Sequence, residues 1–170
     1  MRYQVPNLRL IPQDKTMACW YASAQMLIQW RRERVQMCEV GLADPSDVPR
    51  YMQMYTKNDG IPWAKIRRFA QDLGLVCLPL MSPTPEAVAD WLSRYGPIWA
   101  DGMKFVSQGG TVSSYGHVVV IGGISTGPDQ ILIFDPEHGG SRQWRPLSHL
   151  ASILSDGANP HRNQFLLRLP

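Results

Sequence analysis

Apolar and small side chains recur along residues 13–34 with the spacing of one helical face. They lie at i, i+4, i+7 and i+8, at Trp20, Ala24, Leu27 and Ile28. Because the preceding segment Gln13–Thr16 is polar and turn-prone, we expect a long helix that begins near Cys19 and ends near Arg34. Cys19 then lies in the first helical turn, where unpaired backbone N–H groups and the helix dipole favour an anion such as a thiolate.

Shorter helices are predicted from start and stop signals elsewhere in the chain. Pro62 suits the first turn of a helix and Gly74 suits the position just after its last turn. Thr84, followed by Pro85 and Glu86, has the character of a helix N-cap. The predicted helical ranges are residues 49–55, 62–73, 85–95 and 147–154.

From residue 96 onward the apolar positions form short runs typical of strands, separated by glycine-containing turns such as Gly109-Gly110. The predicted strands are residues 75–80, 98–100, 117–124, 130–134, 142–144 and 165–169, after an extended arm at residues 1–12. Helices first and strands second indicate an α+β fold. We expect a helical half at about residues 13–95 that packs on an antiparallel sheet at about residues 96–170, with a cleft between them as the natural site.

Length and composition indicate one globular domain over residues 1–170. The apolar share of 44% and the charged share of 18% argue against a disordered chain. The net charge of +3 arises partly from basic clusters on predicted helices, which are typical of solvated faces, so no nucleic-acid partner is expected. The longest near-apolar run, Val118–Ile124, is too short for a membrane span. The N-terminus lacks the apolar stretch of a cleavable signal peptide.

The three cysteines, Cys19, Cys38 and Cys77, cannot all pair with one another, and their spacing matches no zinc-binding pattern. We therefore expect at least one free thiol, a reducing compartment such as the cytoplasm, and no metal site. Cys38 and Cys77 are expected to be structural. A cysteine early in an apolar helix is itself often a packing residue, so a reactive role for Cys19 requires partners elsewhere in the chain.

Nucleophilic cysteine chemistry needs a base, a group that orients the base, and a donor for the oxyanion. We expect His117, after Gly116, to open a strand and Asp135 to end the next strand. Antiparallel neighbours joined by a tight turn bring such positions together, so an imidazole–carboxylate contact is predicted. The alternative bases and the alternative acid are His138, His149, His161 and Asp101.

These residues resemble those of the papain-like cysteine peptidases. A glutamine stands six residues before the cysteine, a tryptophan follows it directly, and histidine and acid come later in the same order, at Gln13, Cys19, Trp20, His117 and Asp135. The resemblance covers most of residues 10–136. Within that family the sequence is similar to the compact bacterial branch, which includes double-glycine leader peptidases and the effector proteases of plant pathogens.

The resemblance implies a role for each residue. Cys19 would be the nucleophile, His117 the general base and then acid, and Asp135 the acid that orients His117. The Gln13 side chain and the Cys19 backbone N–H would form the oxyanion hole. The residues implied at the substrate cleft are Trp20, Gly116 and Trp144. Trp144 would shield the third triad member, and a plain core position is its alternative.

The function implied by the resemblance is that of a thiol endopeptidase that cleaves a protein or peptide through an acyl-enzyme. No metal or organic cofactor is expected, and glycine or another small residue is expected near the cut. A stand-alone domain without a signal peptide indicates a bacterial effector or toxin that a dedicated secretion machine delivers, and such toxins usually have a cognate inhibitor protein. Two alternatives stay open: a peptidoglycan amidase or endopeptidase with the same triad, and a catalytically inactive papain-like binding module.

Overall fold

The computed structural model describes residues 1–35, 41–79, 83–154 and 165–170, without the side chains of residues 151–154. Within these ranges the chain forms five α-helices: α1 (Cys19–Arg34), α2 (Pro49–Thr56), α3 (Ile66–Leu73), α4 (Pro85–Tyr95) and α5 (Leu147–Leu154). The strands in the same ranges are β1 (Arg2–Gln4), β2 (Val76–Cys77), β3 (Ile98–Gln108), β4 (Thr111–Ser125), β5 (Gln130–Asp135), β6 (Ser141–Pro146) and β7 (Leu166–Arg168). The predicted α+β class is confirmed.

The strands of the described ranges form one antiparallel sheet in the order β2-β7-β3-β4-β5-β6. The predicted extended arm supplies β1, which pairs with the last residues of β4. Buried side chains from the helices and from the sheet form a single apolar cluster. The helical segments and the sheet are therefore held together by a shared core.

Helix α1 begins at Cys19, as the apolar spacing predicted. It packs against β3 and β4, and its side chains are buried over most of its length. Two hydrogen bonds join its first turns to the sheet: the Trp99 indole donates to the Trp20 carbonyl at 3.1 Å, and the Ser23 hydroxyl donates to the Val118 carbonyl at 3.3 Å. These contacts hold the start of α1 against the middle of β4.

Strands β3 and β4 form a much longer hairpin than predicted. The prediction gave residues 98–100 and 117–124, whereas the ladder runs without interruption to the turn at Gly109-Gly110. The outer part of the hairpin is mostly exposed and polar, and backbone hydrogen bonds hold it together in place of an apolar core, so no apolar alternation marks it in the sequence. His117 therefore lies inside β4, and the prediction that it opens a strand is wrong.

The other boundaries differ from the predictions by smaller amounts. The helix predicted at residues 62–73 divides into a 3₁₀ turn, Trp63–Lys65, followed by α3, and the strand predicted at residues 75–80 shortens to β2. The Thr84 hydroxyl accepts a hydrogen bond from the Ala87 N–H at 3.2 Å and caps α4 as predicted. Cys38 and His161 lie outside the described residues. Within the described ranges no helix has the length and apolar character that a bilayer crossing requires.

A glycine after α4 allows the close approach of α1 and the sheet. Gly96 has a φ of +84°, and a Cβ atom there would lie 2.2 Å from the Trp30 ring. The ring has little freedom to move, because its N–H donates to the Pro6 carbonyl at 2.8 Å. Backbone conformation and packing both require glycine at this position.

We expect Gly96→Ala to lower the free energy of unfolding by about 3 kcal/mol or more, because it adds a steric clash to an unfavourable φ. Gly109→Ala is the matched control. Gly109 also has a positive φ, +58°, but a Cβ atom there would meet nothing within 4 Å, so a loss of only about 1 kcal/mol is expected. Urea unfolding followed by tryptophan fluorescence measures both, and equal losses would contradict the role of the Trp30 contact.

Candidate active site

Cys19 is the first residue of α1, and its side chain is partly exposed. Its backbone N–H is among the first of the helix, which have no acceptor inside the helix. The thiol is near enough to the imidazole of His117 to raise the pKa of that ring. The structure thus brings together the first turn of α1 and the middle of β4, as the predicted Cys19–His117 pair requires.

His117 also contacts the predicted acid. Its Nε2 lies 2.8 Å from Oδ1 of Asp135, which leaves Nδ1 as the ring atom available to the thiol. The last paired residues of β4 and β5 in this direction are Val120 and Phe134. His117 and Asp135 are therefore diagonal neighbours just beyond the ladder, a separation that side chains of this size can span.

The imidazole and the carboxylate shift each other's titration. Burial alone would lower the pKa of His117, but the hydrogen bonds and charges of Asp135 and Cys19 outweigh it and raise this pKa to about 9. Burial alone would raise the pKa of Asp135, but its contacts with His117, the Glu137 N–H and Lys104 hold it well below its ordinary value. Both shifts favour the charged forms of the pair, an imidazolium beside a carboxylate.

Gln13 lies close to the acid but has its amide engaged locally. Its backbone N–H donates to the Pro136 carbonyl at 2.8 Å, which ties the loop before α1 to the residue after Asp135. Its side-chain nitrogen donates to the Lys15 and Thr16 carbonyls at 3.0 and 3.1 Å. Its Oε1 is buried without a hydrogen-bond partner. The predicted oxyanion role of Gln13 stays a prediction.

Lys104, Tyr115 and Glu137 complete a polar cluster around Asp135 that the sequence analysis missed. Lys104 Nζ donates to Oδ2 of Asp135 at 3.0 Å and to Glu137, and the Tyr115 hydroxyl donates to both Glu137 carboxylate oxygens at 2.8 and 2.9 Å. Ligand atoms of His117, Asp135 and Glu137 lie within 4.8 Å of one another, and the ammonium group of Lys104 supplies a positive charge at both carboxylates. In the sequence, the only indication of this cluster was the acidic residue two positions after Asp135.

A cavity of about 490 Å³ adjoins the imidazole and the carboxylate. Its apolar walls include Met103, Phe105, Val119 and Ile133, and its polar lining includes Gln143 and Arg145 of β6 and His149 of α5. Cys19 is not among its lining residues. The cavity therefore belongs to the side of the site formed by His117 and Asp135.

Trp20 is a core residue. It is only 1% exposed, its ring packs edge-on against Tyr21, Tyr51 and Phe69, and its indole N–H donates to the Asp59 carbonyl at 3.1 Å. No substrate can reach the ring in this conformation. The predicted substrate contact of Trp20 is corrected to a packing role beside Cys19.

The predicted role of Trp144 is wrong, whereas the predicted role of Gly116 stays a prediction. Trp144 pairs with Leu132 across β5 and β6, whereas Asp135 pairs with Ser141, so the pleat directs Trp144 to the opposite face from Asp135. Its ring lies under the Arg2 guanidinium, 4.6 Å away. Trp144 therefore does not shield the acid, and that prediction is corrected. Gly116 is exposed next to His117, and its contact with substrate stays a prediction.

The alternative bases and the alternative acid lie in less favourable positions for a catalytic role than His117 and Asp135. Asp101 pairs with Val118, so its side chain leaves the strand on the face opposite to His117. The imidazole of His138 is 85% exposed in the turn after β5. His149 lines the cavity, where burial and the nearby Arg145 lower its pKa. Among the described residues Cys77 is also a free thiol, and burial raises its pKa, as suits a structural cysteine.

Comparison with known proteins supports the same chemistry. A family model described as "Papain-like cysteine protease AvrRpt2" matches residues 1–151, which is most of the chain. No curated protein sequence matches the chain significantly. The match confirms the resemblance to the papain-like cysteine peptidases on the side of the bacterial effector proteases. The chain belongs to the family of the papain-like cysteine protease AvrRpt2.

Proposed function

We propose that this protein is a cysteine endopeptidase whose triad is Cys19, His117 and Asp135. The observation that carries the proposal is a single imidazole, in the middle of β4, that lies 2.8 Å from a partly buried carboxylate and has its pKa raised by a nearby thiol at a helix N-terminus. Membership of a papain-like protease family supports the same reaction class. A cysteine with only a packing role does not require an imidazole beside its thiol.

The proposed reaction follows from the charges of the pair. The Cys19 thiolate attacks the carbonyl carbon, and the protonated His117 then gives its proton to the leaving amine, which leaves an acyl-enzyme. Neutral His117 next takes a proton from water, and the hydroxide attacks the thioester and releases Cys19. Asp135 orients the ring throughout and stabilises its charged form.

For the oxyanion of each tetrahedral intermediate, the first proposed donor is the backbone N–H of Cys19 at the start of α1. The second donor is proposed to be the Gln13 amide. Because both of its hydrogens bond loop carbonyls, the amide must release one of them when the substrate binds. Loss of such a donor lowers the rate by about 10²- to 10³-fold in other acyl-transfer enzymes.

The biological part of the proposal rests on the family. We propose that the protein is a bacterial effector, delivered by a dedicated secretion machine, that cleaves a target-cell protein. Its substrate is a protein with glycine or another small residue near the cut. A cognate inhibitor protein in the producing cell is part of the same proposal.

Cleavage of proteins is tested by sequencing new N-termini in a bacterial lysate treated with purified protein. We expect new N-termini with the wild type and none with Cys19→Ala, because the acyl-enzyme cannot form. Cys77→Ser is the matched control, since it removes a thiol that has no part in the proposal, and its cleavage pattern should equal that of the wild type. Iodoacetamide near pH 6 should label Cys19 selectively.

Two results would overturn the proposal. A Cys19 thiol that reacts only after denaturation would indicate an inactive binding module. Lysis of purified sacculi by the wild type but not by Cys19→Ala, without new protein N-termini, would indicate a peptidoglycan hydrolase.

The pH dependence of kcat/KM tests the imidazole–carboxylate pair. Because His117 must be protonated to release the amine, the wild-type alkaline limb should fall with a midpoint near pH 9. Asp135→Asn removes the carboxylate charge that favours the imidazolium, so the midpoint should move down by about one pH unit or more. Asp90→Asn, which breaks an exposed ion pair with Arg94, should leave the profile unchanged. An unmoved limb in Asp135→Asn would contradict the triad.

The preference for a small residue is tested with a peptide library that varies the residue on the acyl side of the cut. We expect glycine to give a kcat/KM about tenfold or more above that of leucine or arginine, since a narrow subsite excludes larger side chains. Cys19→Ala gives the background. Equal rates for glycine, leucine and arginine would remove this part of the proposal and leave the peptidase activity standing.

A further inference from the structure

The Asp135 carboxylate has defined partners on both of its oxygens. Oδ1 accepts from His117 Nε2 at 2.8 Å and from the Glu137 N–H at 3.0 Å, and Oδ2 accepts from Lys104 Nζ at 3.0 Å. The carboxylate cannot rotate about its Cβ–Cγ bond without breaking one of these contacts. Lys104 is the side chain that binds the oxygen facing away from His117.

Lys104 is itself held in place by Glu137, which Tyr115 binds in turn. Glu137 accepts from Lys104 and from the Tyr115 hydroxyl. Burial, together with the hydrogen bond to Glu137, raises the pKa of Tyr115 to about 12, so the hydroxyl remains a donor throughout the working range of pH. The carboxylates of Asp135 and Glu137 are only 19% and 14% exposed, which limits the screening of their charges by water.

The hairpin of β3 and β4 aligns these groups. Lys104 and Tyr115 are cross-strand partners, and Gly102 and His117 are the partners two residues nearer the core. Because side chains two residues apart share a face of a strand, Lys104, Tyr115 and His117 leave the hairpin on the same face. Asp135 lies on β5 beyond the last residue pair between β4 and β5, so the backbone ladder between those two strands does not fix it relative to His117.

We propose that Lys104 is a positioning residue that fixes the Asp135 carboxylate in the orientation that His117 requires, and that Glu137 and Tyr115 hold Lys104 for this task. The inference rests on the proposed function in one respect only, namely that the orientation of His117 matters for catalysis. The side chain of Lys104 links the β3–β4 hairpin to β5 at the point where the backbone pairing between β4 and β5 has ended.

A purely electrostatic role for Lys104 makes the opposite prediction. A cation beside Asp135 weakens the attraction of the carboxylate for the imidazolium, so loss of the charge alone would raise the pKa of His117. Loss of orientation would weaken the hydrogen bond between His117 and Asp135 and lower that pKa. The direction of the change therefore separates the two roles.

The test is an NMR titration of the histidine ring protons, and assignment is tractable because the chain has four histidines. Wild-type His117 should titrate near pH 9. Lys104→Met should lower the midpoint by about one pH unit, while Lys104→Arg, which keeps a donor of similar reach, should stay within a few tenths of the wild type. An unchanged or raised midpoint in Lys104→Met overturns the proposal.

A double variant tests whether repulsion between two carboxylates, rather than loss of the Lys104 donor, lowers the pKa of His117. Lys104→Met leaves Glu137 and Asp135 as neighbouring carboxylates without the ammonium group that binds both, and their repulsion alone would disturb the site. Lys104→Met with Glu137→Gln removes that repulsion but does not restore the donor to Oδ2. We expect the lowered His117 midpoint to persist in the double variant, and recovery of the wild-type value overturns the proposal.

Activity and stability complete the experiment. With a peptide that the wild type cleaves, Lys104→Met should lower kcat/KM by about 10- to 100-fold, as expected when a reacting group is misplaced by a fraction of an ångström. Lys57→Met is the control for loss of a lysine outside the site. Thermal unfolding identifies any variant that fails to fold, and if Lys104→Met does so, the double variant with Glu137→Gln decides the question, since it also removes the donor to Oδ2. Because the titration needs no substrate, it remains decisive even if the proposed peptidase activity fails.

Discussion

The contact between the first turns of α1 and the β3–β4 hairpin is the constraint on which the site depends. The proposed nucleophile and the proposed base come from distant parts of the chain, and no strand pairing or covalent link joins them. Ser23, one turn after Cys19, binds the carbonyl of Val118, which is the neighbour of His117. Each such bond contributes only about 1 kcal/mol to stability. Its larger effect is on position, because a slide of the helix by one residue, about 1.5 Å, would break the contact between thiol and imidazole.

The parts of the site that could be predicted from the sequence carry local signals. The apolar spacing located the start of α1 and hence Cys19, and a short apolar run before Asp135 located the end of β5. The position of His117 inside β4 could not be predicted. The outer hairpin is held by its own backbone ladder and is mostly exposed, so its side chains show no alternation of apolar and polar residues.

Side chains whose roles depend on register or packing were also beyond the sequence. A tryptophan beside a nucleophile has the same sequence signal whether it faces a substrate or the core, and only the packing of Trp20 against other rings decides. The faces of β6 follow from its pairing with β5, which directs Trp144 away from Asp135. Lys104 resembles any surface lysine until the pairing of Lys104 with Tyr115 brings it near Asp135.

The hairpin has a consequence for how related sequences can vary in length. His117 and Lys104 lie on one face of the hairpin. A single residue inserted or deleted in either strand would turn every side chain beyond it to the opposite face. At the tip, a Cβ atom on Gly109 or Gly110 would meet nothing within 4 Å, so extra residues are accommodated there without disturbing the register. We therefore expect homologous chains to differ in length at this turn while the strands between it and the imidazole stay constant.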